Sequence, residues 1–331
     1  MGRFLAGNGD PGGTKAVAAA IAVVGLLAAP GLASATTYPV RYDFSQGILA
    51  QAASPDSPPP GANDWSCQPN AAHPRPVVLV HGLLANQTDN WQTISPLLAN
   101  RGYCVFSLTY GTNPSASFPG YQPGGLTTME ESAQQLSDFV DRVRSATGAG
   151  HVDIVGHSEG SLMPDYYVKF LGGDRAVRNY VGITTLWHGT NPAGLASIDQ
   201  LGKAFGISSG MEQAVSGFCA SCPEFLAGSD FISKLRDGGI VAPGVTYTSI
   251  VTQNDELVAP YTSGIEDAPG MTNLVVQKQC PLDQAEHVSM AADPVVAQDI
   301  LNALDPKHPG PVPCTVVLPL IGAPLYSGPP H

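Results

Sequence analysis

Charge is scarce in this sequence, and positive charge is the scarcer kind. Charged residues make up 13% of the 331 residues, and 15 lysines and arginines stand against 27 aspartates and glutamates. The formal net charge of −12 argues against nucleic acid as a partner, because phosphate backbones are bound through clustered basic side chains. The same shortage argues against electrostatic docking on anionic membranes. Uncharged or apolar substrates remain compatible with this composition.

Apolar runs long enough to cross a bilayer are also missing. The one extended run, residues 16–29, has 14 residues, whereas a spanning helix needs about 20. Arg3 and Lys15 precede or border this run, and the A-S-A triplet at residues 33–35 follows it. This order is typical of a secretory signal peptide. We therefore predict that residues 1–35 are removed by cleavage after Ala35, which leaves a secreted protein without a transmembrane anchor.

The cysteines lack the second close pair that a zinc site needs. Cys219 and Cys222 form a C-x-x-C, but no other ligand pair and no redox-type strand–helix pattern accompanies it. All six cysteines follow the signal peptide, and an even number in an exported chain predicts three disulfides. Six cysteines allow 15 pairings. Our prediction is Cys67–Cys104, Cys219–Cys222 and Cys280–Cys314.

What the chain does contain is a G-x-S-x-G motif, Gly156-His157-Ser158-Glu159-Gly160. An apolar run at residues 152–155 precedes it, and a helix-like segment at residues 161–170 follows it. Between a strand and a helix, this motif forms the nucleophile elbow of α/β-hydrolases, a tight turn that exposes the serine hydroxyl. The alternative is that Ser158 only N-caps an ordinary strand-to-helix turn.

Strand-like and helix-like segments alternate along the chain. Apolar or β-branched runs occupy residues 75–80, 103–108, 152–155, 179–186, 245–251 and 274–277, and helical patterns occupy residues 88–100, 128–147, 161–170 and 293–304. This alternation predicts an α/β-hydrolase fold with a mainly parallel central sheet and helices on both faces.

The remaining segments set the predicted domain limits. Residues 36–75 are predicted to form an extended N-terminal arm, with an edge strand near residues 40–42. The α/β-hydrolase domain follows at residues 76–305, and a proline-rich C-terminal tail at residues 306–331. Residues 190–243 carry few charges and are predicted to be a cap, either packed as ordinary structure or acting as a lid or acyl-pocket wall.

A serine nucleophile needs a histidine base and an acid that orients the histidine. In the α/β-hydrolase order of serine, acid and histidine, His287 is the one of eight histidines that lies between the last strand and the last helix. Asp255, in the turn after the strand at residues 245–251, is the predicted acid. Glu256 is its rival, and Asp255 could instead only cap that turn. Weaker candidates are Asp199, Asp230, Asp237 and Glu286, the last of which we expect to face solvent.

Two backbone N–H groups are needed to bind the oxyanion that forms during attack. The residue after the nucleophile, Glu159, supplies the first. The turn after the first central strand, at His81-Gly82-Leu83, supplies the second, so that Leu83 is the predicted donor.

Several motifs together resemble the class 2 secreted lipases of actinobacteria. They are Asp64-Trp65-Ser66-Cys67, the strand and turn at residues 73–82, Asn90-Trp91, residues 102–105, the elbow, and Asp255 with Pro260-Tyr261-Thr262. The resemblance covers roughly residues 60–305. It implies a triacylglycerol lipase or carboxylesterase that uses Ser158, Asp255 and His287 without metal or cofactor. Many such proteins carry threonine where this chain has Leu83, so a side-chain contribution to the oxyanion hole is lost here.

Other functions remain open on the sequence. The same triad serves an acyltransferase, in which an alcohol outcompetes water, or a polyester or cutin-type esterase. A protein of another class, an inactive hydrolase-fold binding protein, is disfavoured by the intact order of serine, acid and histidine. We expect an ester or lipid substrate, transient contact with a lipid interface, and a monomer.

Overall fold

The computed structural model describes residues 37–116, 120–194, 197, 200 and 218–328. The predicted signal peptide and most of the middle of the predicted cap, including residues 201–217, lie outside the described residues.

Six strands form one sheet in the order β2-β1-β3-β4-β5-β6, and every neighbouring pair is parallel. The strands are β1 Val77–Val80, β2 Val105–Leu108, β3 Val152–His157, β4 Val177–Ile183, β5 Thr246–Val251 and β6 Met271–Val275. Every residue of β1, β2 and β3 is buried, as expected for central strands covered on both faces. The predicted α/β fold with a parallel sheet is confirmed.

Helices cover both faces of this sheet. They are α1 Ser45–Ala53, α2 Gln87–Asn90, α3 Ile94–Asn100, α4 Met129–Thr147, α5 Met163–Phe170, α6 Asp230–Arg236, α7 Val276–Gln279 and α8 Pro294–Leu304. One apolar core contains side chains of α4, α5 and α6, and a second contains side chains of α3 and α8. The apolar stripe predicted for α4 is fully buried at Met129, Ala133, Leu136, Val140 and Val143.

The strand order places the site. The chain passes from β1 outward to β2 and then returns to β3 on the other side of β1. Ligands of open parallel sheets bind at such a switch point, beyond the carboxyl ends of the strands. The turn after β1 and the turn after β3 meet there.

The chain between β1 and β2 differs from the prediction of one helix at residues 88–100. Asn86 accepts bonds from the N–H groups of Thr88 and Asp89, and the Asp89 carboxylate accepts from the N–H of Asn86. This capping box closes the short helix α2. The chain leaves the helix at Trp91, whose indole is fully buried, and α3 begins at Ile94.

The segment predicted as an extended arm contains helix α1 instead of an edge strand. Its alanine-rich sequence favours helix, and its packing on α2 needs Gly47, where a Cβ would lie 2.3 Å from the Asp89 carbonyl oxygen. The last strand also differs, since residues 276 and 277 of the strand predicted at 274–277 belong to helix α7, and the strand occupies Met271–Val275.

Three disulfides are present, and they join Cys67 to Cys104, Cys219 to Cys222, and Cys280 to Cys314. The first anchors the segment before β1 next to the start of β2, and the third holds the C-terminal tail against the end of α7. Among the helices described, none is both long and apolar enough to cross a membrane.

Candidate active site

Ser158 stands at the end of β3 in a sharp turn. Its φ is +57°, a left-handed conformation that is uncommon for a residue with a side chain. The flanking glycines are required by close contacts. A Cβ at Gly156 would lie 1.7 Å from the Gly160 carbonyl oxygen, and a Cβ at Gly160 would lie 2.0 Å from the Val80 carbonyl oxygen. The elbow is therefore pressed against β1, and it can be built only with glycine at both positions.

The side chain of Glu159 turns away from the serine into the interior. It is fully buried, and its carboxyl lies so close to Gly125 that a Cβ there would be 2.6 Å from Oε2. Burial, with the nearby Glu224, raises the pKa of Glu159 well above its ordinary value. The raised pKa favours the uncharged form of this side chain. Because the side chain turns inward, only the backbone N–H of Glu159 remains on the side of the nucleophile.

Asp255 lies in the turn after β5, where its carboxylate serves two purposes. Oδ1 accepts from the backbone N–H groups of Leu257 at 3.0 Å and Val258 at 2.8 Å. The imidazole Nδ1 of His287 lies 2.8 Å from Oδ1 and 3.0 Å from Oδ2. Both side chains are almost completely buried, with exposed fractions of 2% and 4%. The turn cap and the contact with histidine are thus two uses of one carboxylate.

The other acid candidates lie elsewhere. The Glu256 carboxylate is 3.5 Å from the backbone N–H of His287 rather than on the imidazole. Asp230 begins α6, Asp237 follows it, and Asp199 lies outside the described residues. Glu286 was expected to face solvent, and that expectation is wrong. Its side chain is buried, and its carboxylate accepts from Ser289 and from the backbone N–H of Leu320.

Electrostatics at His287 favour a protonated ring more than in water. Burial by itself lowers its pKa, but the Asp255 carboxylate, with smaller contributions from Glu256 and Glu286, raises the pKa above the ordinary value. Because Nδ1 faces Asp255, the neutral ring carries its proton there and presents Nε2 as the basic nitrogen. Such a ring can accept a proton and keep the resulting charge next to a carboxylate.

The turn after β1 is oriented by a buried histidine. Nδ1 of His81 lies 2.8 Å from the carbonyl oxygen of Gly82, and the N–H of Tyr110 donates to Nε2 at 3.3 Å. Burial lowers the pKa of His81 to about 4, so the ring is neutral and Nδ1–H is the donor. Because a trans peptide directs its C=O and N–H oppositely, fixing the Gly82 carbonyl also fixes the direction of the Leu83 N–H.

Asn90 connects this turn to the elbow. Its Oδ1 accepts from the N–H of Gly82 at 3.1 Å and lies 3.1 Å from Nδ1 of His157. On its other side, Nε2 of His157 lies 3.0 Å from the carbonyl oxygen of His287. Burial lowers the pKa of His157 to about 3, so this ring is uncharged, and its one N–H donates to only one of these two oxygens. The sequence did not predict a role for His81, Asn90 or His157. The available signal was that each is a polar residue at or next to the end of an apolar segment.

A cavity of about 500 Å³ brings these groups together. Ser158, His287, Gly82 and Leu83 all line it. Its walls are mainly apolar, and they include Phe44, Ile48, Leu84, Leu186, Phe225 and Val288. Phe225 comes from the described part of the predicted cap, whereas Ile48 belongs to α1, in the segment predicted to be an arm. The arrangement offers a hydroxyl, a basic nitrogen and oriented N–H groups at the edge of an apolar space.

Comparison with known proteins points to one family. A family model described as lipase (class 2) matches residues 74–299. Two curated triacylglycerol lipases, from Pseudarthrobacter phenanthrenivorans and Burkholderia plantarii, are each 35% identical over 105 residues. These matches cover 29% of this chain, and 28% and 25% of the two relatives. The chain therefore matches only about a quarter of the length of these relatives.

Among solved structures, the fold is similar to that of Aspergillus fumigatus lipase B. The TM-score is 0.56 at 18% sequence identity, and the match covers 77% of this chain and 57% of that chain. At this identity the likeness concerns the fold alone.

Proposed function

The chain belongs to the class 2 lipase family, and on that premise we propose that it is a serine hydrolase that cleaves carboxylic esters of lipids through an acyl-enzyme. One observation carries the proposal. Ser158 and His287 line the same apolar cavity, and Asp255 holds Nδ1 of His287 at 2.8 Å, which leaves Nε2 for the serine. Serine, histidine and acid in this relation are the parts of a nucleophilic triad.

In the proposed reaction, Nε2 of His287 takes the Ser158 proton as Oγ attacks the ester carbonyl carbon. The C=O electron pair moves to the carbonyl oxygen, and the tetrahedral intermediate collapses with loss of the alkoxide, which receives the proton from His287. Water then attacks the acyl carbon while Nε2 of His287 takes its proton. The second tetrahedral intermediate collapses by breaking the bond between Oγ and the acyl carbon, His287 returns the proton to Oγ, and the carboxylic acid leaves. Asp255 stabilises the imidazolium that exists between these transfers.

The oxyanion is bound in this proposal by the N–H groups of Leu83 and Glu159. His81 fixes the Gly82 carbonyl, and therefore the direction of the Leu83 N–H, before substrate arrives. The second N–H group is that of Glu159, the residue directly after Ser158, and the tight turn of the elbow orients it. A preoriented donor of this kind typically contributes about 10²–10³ in turnover.

The substrate is proposed to be an ester with an apolar acyl chain, of the triacylglycerol or simple carboxylic ester type. The walls of the cavity are predominantly aliphatic and aromatic, which suits an acyl chain. We propose hydrolysis rather than acyl transfer because the described residues that line the cavity form no recognisable binding site for an acceptor alcohol. The ratio of transfer to hydrolysis in the presence of an added alcohol would separate the two reactions.

Contact with a lipid surface is proposed through an uncharged rim, which we define as residues 44–55 together with residues 309–328. Neither stretch contains a charged residue, and both expose large apolar side chains, with Leu49 61% and Leu320 57% exposed. The N–H of Phe44 donates to the carbonyl oxygen of Ile321 at 2.9 Å, so the two stretches adjoin. In a chain with a net charge of −12, such a rim suits an uncharged lipid surface better than an anionic one.

The setting is proposed to be extracellular. Three disulfides persist best in an oxidising compartment, and they support export directed by a signal peptide at residues 1–35. We propose residues 36–75 and 306–331 as the arm and tail that flank a hydrolase domain at residues 76–305, with a cap at residues 190–243. We also propose that the protein acts as a monomer.

The test is hydrolysis of p-nitrophenyl esters of short and long chains by the purified protein lacking residues 1–35. Wild type should release p-nitrophenol, and it should be labelled by a fluorophosphonate. Ser158→Ala should lose labelling and nearly all activity, while Ser161→Ala serves as a matched control in the same turn. Wild type that is inert on every chain length and resists the probe would contradict the proposal.

A further inference from the structure

The loop that carries His287 is bounded by two buried aspartates. We define the His287 loop as residues 283–293, from Asp283 after α7 to Asp293 at the N-cap of α8. Asp283 Oδ1 accepts from the N–H of Ala285 at 2.8 Å. Asp293 Oδ1 accepts from the N–H of Val295 at 2.7 Å. Each aspartate thus uses one oxygen to fix the chain at its own end of the loop.

The second oxygen of each aspartate has no such backbone bond. Both Oδ2 atoms are buried, and among the described residues no protein N–H or O–H donates to either of them. A side-chain hydrogen bond between Asp283 and Asp293 contributes to the shift in the pKa of both carboxyl groups. Neither belongs to an ion pair with a described lysine, arginine or histidine. Two ionised carboxylates are not stable in such a place, whereas one proton between them satisfies both oxygens.

We propose that Asp283 and Asp293 share one proton and so form a positioning pair that holds the His287 loop closed on the start of α8. The catalytic consequence rests on the proposed function, in which His287 is the base. The pair touches no substrate and acts through the loop.

The contacts inside the loop show how closure reaches the imidazole. Asp283 holds the N–H of Ala285, and the carbonyl oxygen of Ala285 accepts from Thr252 Oγ1 at 2.6 Å. Two residues later, His287 is held by Asp255 at Nδ1 and by His157 at its carbonyl oxygen. A shift at Asp283 therefore moves the backbone two residues before His287, while the other two contacts of His287 come from the turn after β5 and from β3.

The surrounding ionisable groups leave the pair without a cation. On the segment before α1, Tyr42 lies near Asp293, and its pKa is raised to about 12 by burial and by neighbours that include Asp293. Arg101 lowers the pKa of Tyr42. Within the loop, Glu286 is engaged by Ser289, and His287 by Asp255.

The charge balance gives the direction of the pH effect. Burial, and then the neighbouring Asp283, raise the pKa of Asp293 well above its ordinary value, and burial also raises the pKa of Asp283. A group with a raised folded-state pKa contributes stability at low pH that is lost as pH rises through that pKa. Loss of the shared proton on the alkaline side leaves two adjacent carboxylates, which repel each other and open the loop.

The experiment compares asparagine with alanine at the same positions. In Asp293→Asn, and separately in Asp283→Asn, an amide N–H replaces the shared proton and the other side-chain oxygen keeps its backbone bond. Near pH 7 each should retain kcat within about twofold of wild type. Asp293→Ala loses both the bond to the Val295 N–H and the shared proton. Because His287 is then misplaced, kcat should fall about tenfold or more, with a smaller change in KM.

The pH profile then separates positioning from simple stability. Wild-type kcat should fall reversibly on the alkaline side, and the fall should be absent or displaced to higher pH in both asparagine variants. Asp299→Asn is the matched control, since Asp299 is a buried acid of α8 that binds Gln279 instead of the loop. It should keep the wild-type alkaline limb. An alkaline limb that is identical in wild type and both asparagine variants would overturn the proposal.

Thermal unfolding supplies a readout that does not depend on ester hydrolysis. In a Ser158→Ala background, Tm should fall with rising pH when both aspartates are present and should fall less when either is asparagine. If either Asp283→Asn or Asp293→Asn fails to fold, the other variant still removes the same shared proton and provides the test. Equal slopes in the parent and the folded variants would refute the shared proton. A wild type with no hydrolysis at any pH would instead refute the proposed function, while the Tm slopes would still decide the pair.

Discussion

Asp255 and His287 on one side of Ser158 meet through a hydrogen bond between a carboxylate and an imidazole, whereas Gly82 and Leu83 on the other side are oriented by neutral groups. We call Asp255, Glu256 and His287 the acid–base side, and His81, Gly82 and Leu83 the oxyanion side. The pKa of His287 is raised by carboxylates. The pKa of His81 is lowered to about 4 by burial, and no carboxylate among the described residues is paired with its ring.

The difference follows from what each side has to do. A base must change charge during the proposed reaction, so a carboxylate that stabilises its protonated form is useful. An oxyanion donor must keep one direction and one charge throughout, so a neutral histidine that fixes a peptide plane is sufficient. The acid–base side should therefore respond to charge and pH, and the oxyanion side to the loss of single hydrogen bonds.

The largest expected effect is on the acid–base side. Asp255→Asn keeps the shape but replaces the carboxylate, so the imidazole is no longer held with its proton on Nδ1 and the imidazolium is not stabilised. We expect kcat to fall about 10⁴-fold. Measured by ester hydrolysis, the matched control Glu256→Gln should stay near wild type on its pH plateau. A comparable loss in both variants would mean that the two acids act together.

The next effect is on the oxyanion side. Leu83→Pro removes the N–H proposed to bind the oxyanion, and we expect kcat to fall about 10²–10³-fold. Leu83→Ala shortens the side chain but keeps the N–H, so it should mainly change KM through the apolar wall. If Leu83→Pro, checked for folding by circular dichroism, retains kcat, another group must bind the oxyanion.

The sequence predicted the acid–base side better than the oxyanion side, and the reason is local. The elbow, the strand before Asp255 and the loop before α8 are each recognisable within a few residues, because strand periodicity and glycine spacing are local patterns. The α/β fold and the family resemblance are confirmed. Ser158 and His287 line one cavity and Asp255 contacts His287, and their catalytic roles stay predictions.

The rest depends on contacts between distant parts of the chain. His157 and His287 are 130 positions apart, and Asn90 and His157 are 67 apart, so no local sequence pattern predicts these contacts. Helix α1 was missed because its proline- and serine-rich surroundings resemble a linker. The need for glycine at position 47 is visible only in the structure, where α2 packs too closely for a Cβ.

A smaller effect is expected from His81, which orients the Leu83 N–H through the Gly82 carbonyl and does not itself contact the oxyanion. His81→Phe keeps a ring stacked on Tyr110, whose centroid is 4.3 Å away, but removes the hydrogen bond to the Gly82 carbonyl. This hydrogen bond is worth about 1–1.5 kcal/mol. Without it the Leu83 N–H is less well oriented, so kcat should fall about 5- to 10-fold with KM little changed. Tyr110→Phe removes the bond to the His81 carbonyl and leaves the imidazole contacts, so its kcat should fall less. Equal losses would assign the effect to packing.

The smallest effect is a displacement along the pH axis. The base must be neutral to accept the Ser158 proton, so kcat/KM should fall as pH drops through the pKa of His287, which lies above the ordinary value. Glu256→Gln removes one carboxylate that raises this pKa, and the acid limb should therefore move to lower pH while plateau kcat is unchanged. His81→Phe should leave the limb in place, because His81 is already neutral there. A limb that moves in His81→Phe but not in Glu256→Gln would reverse the contrast between the two sides.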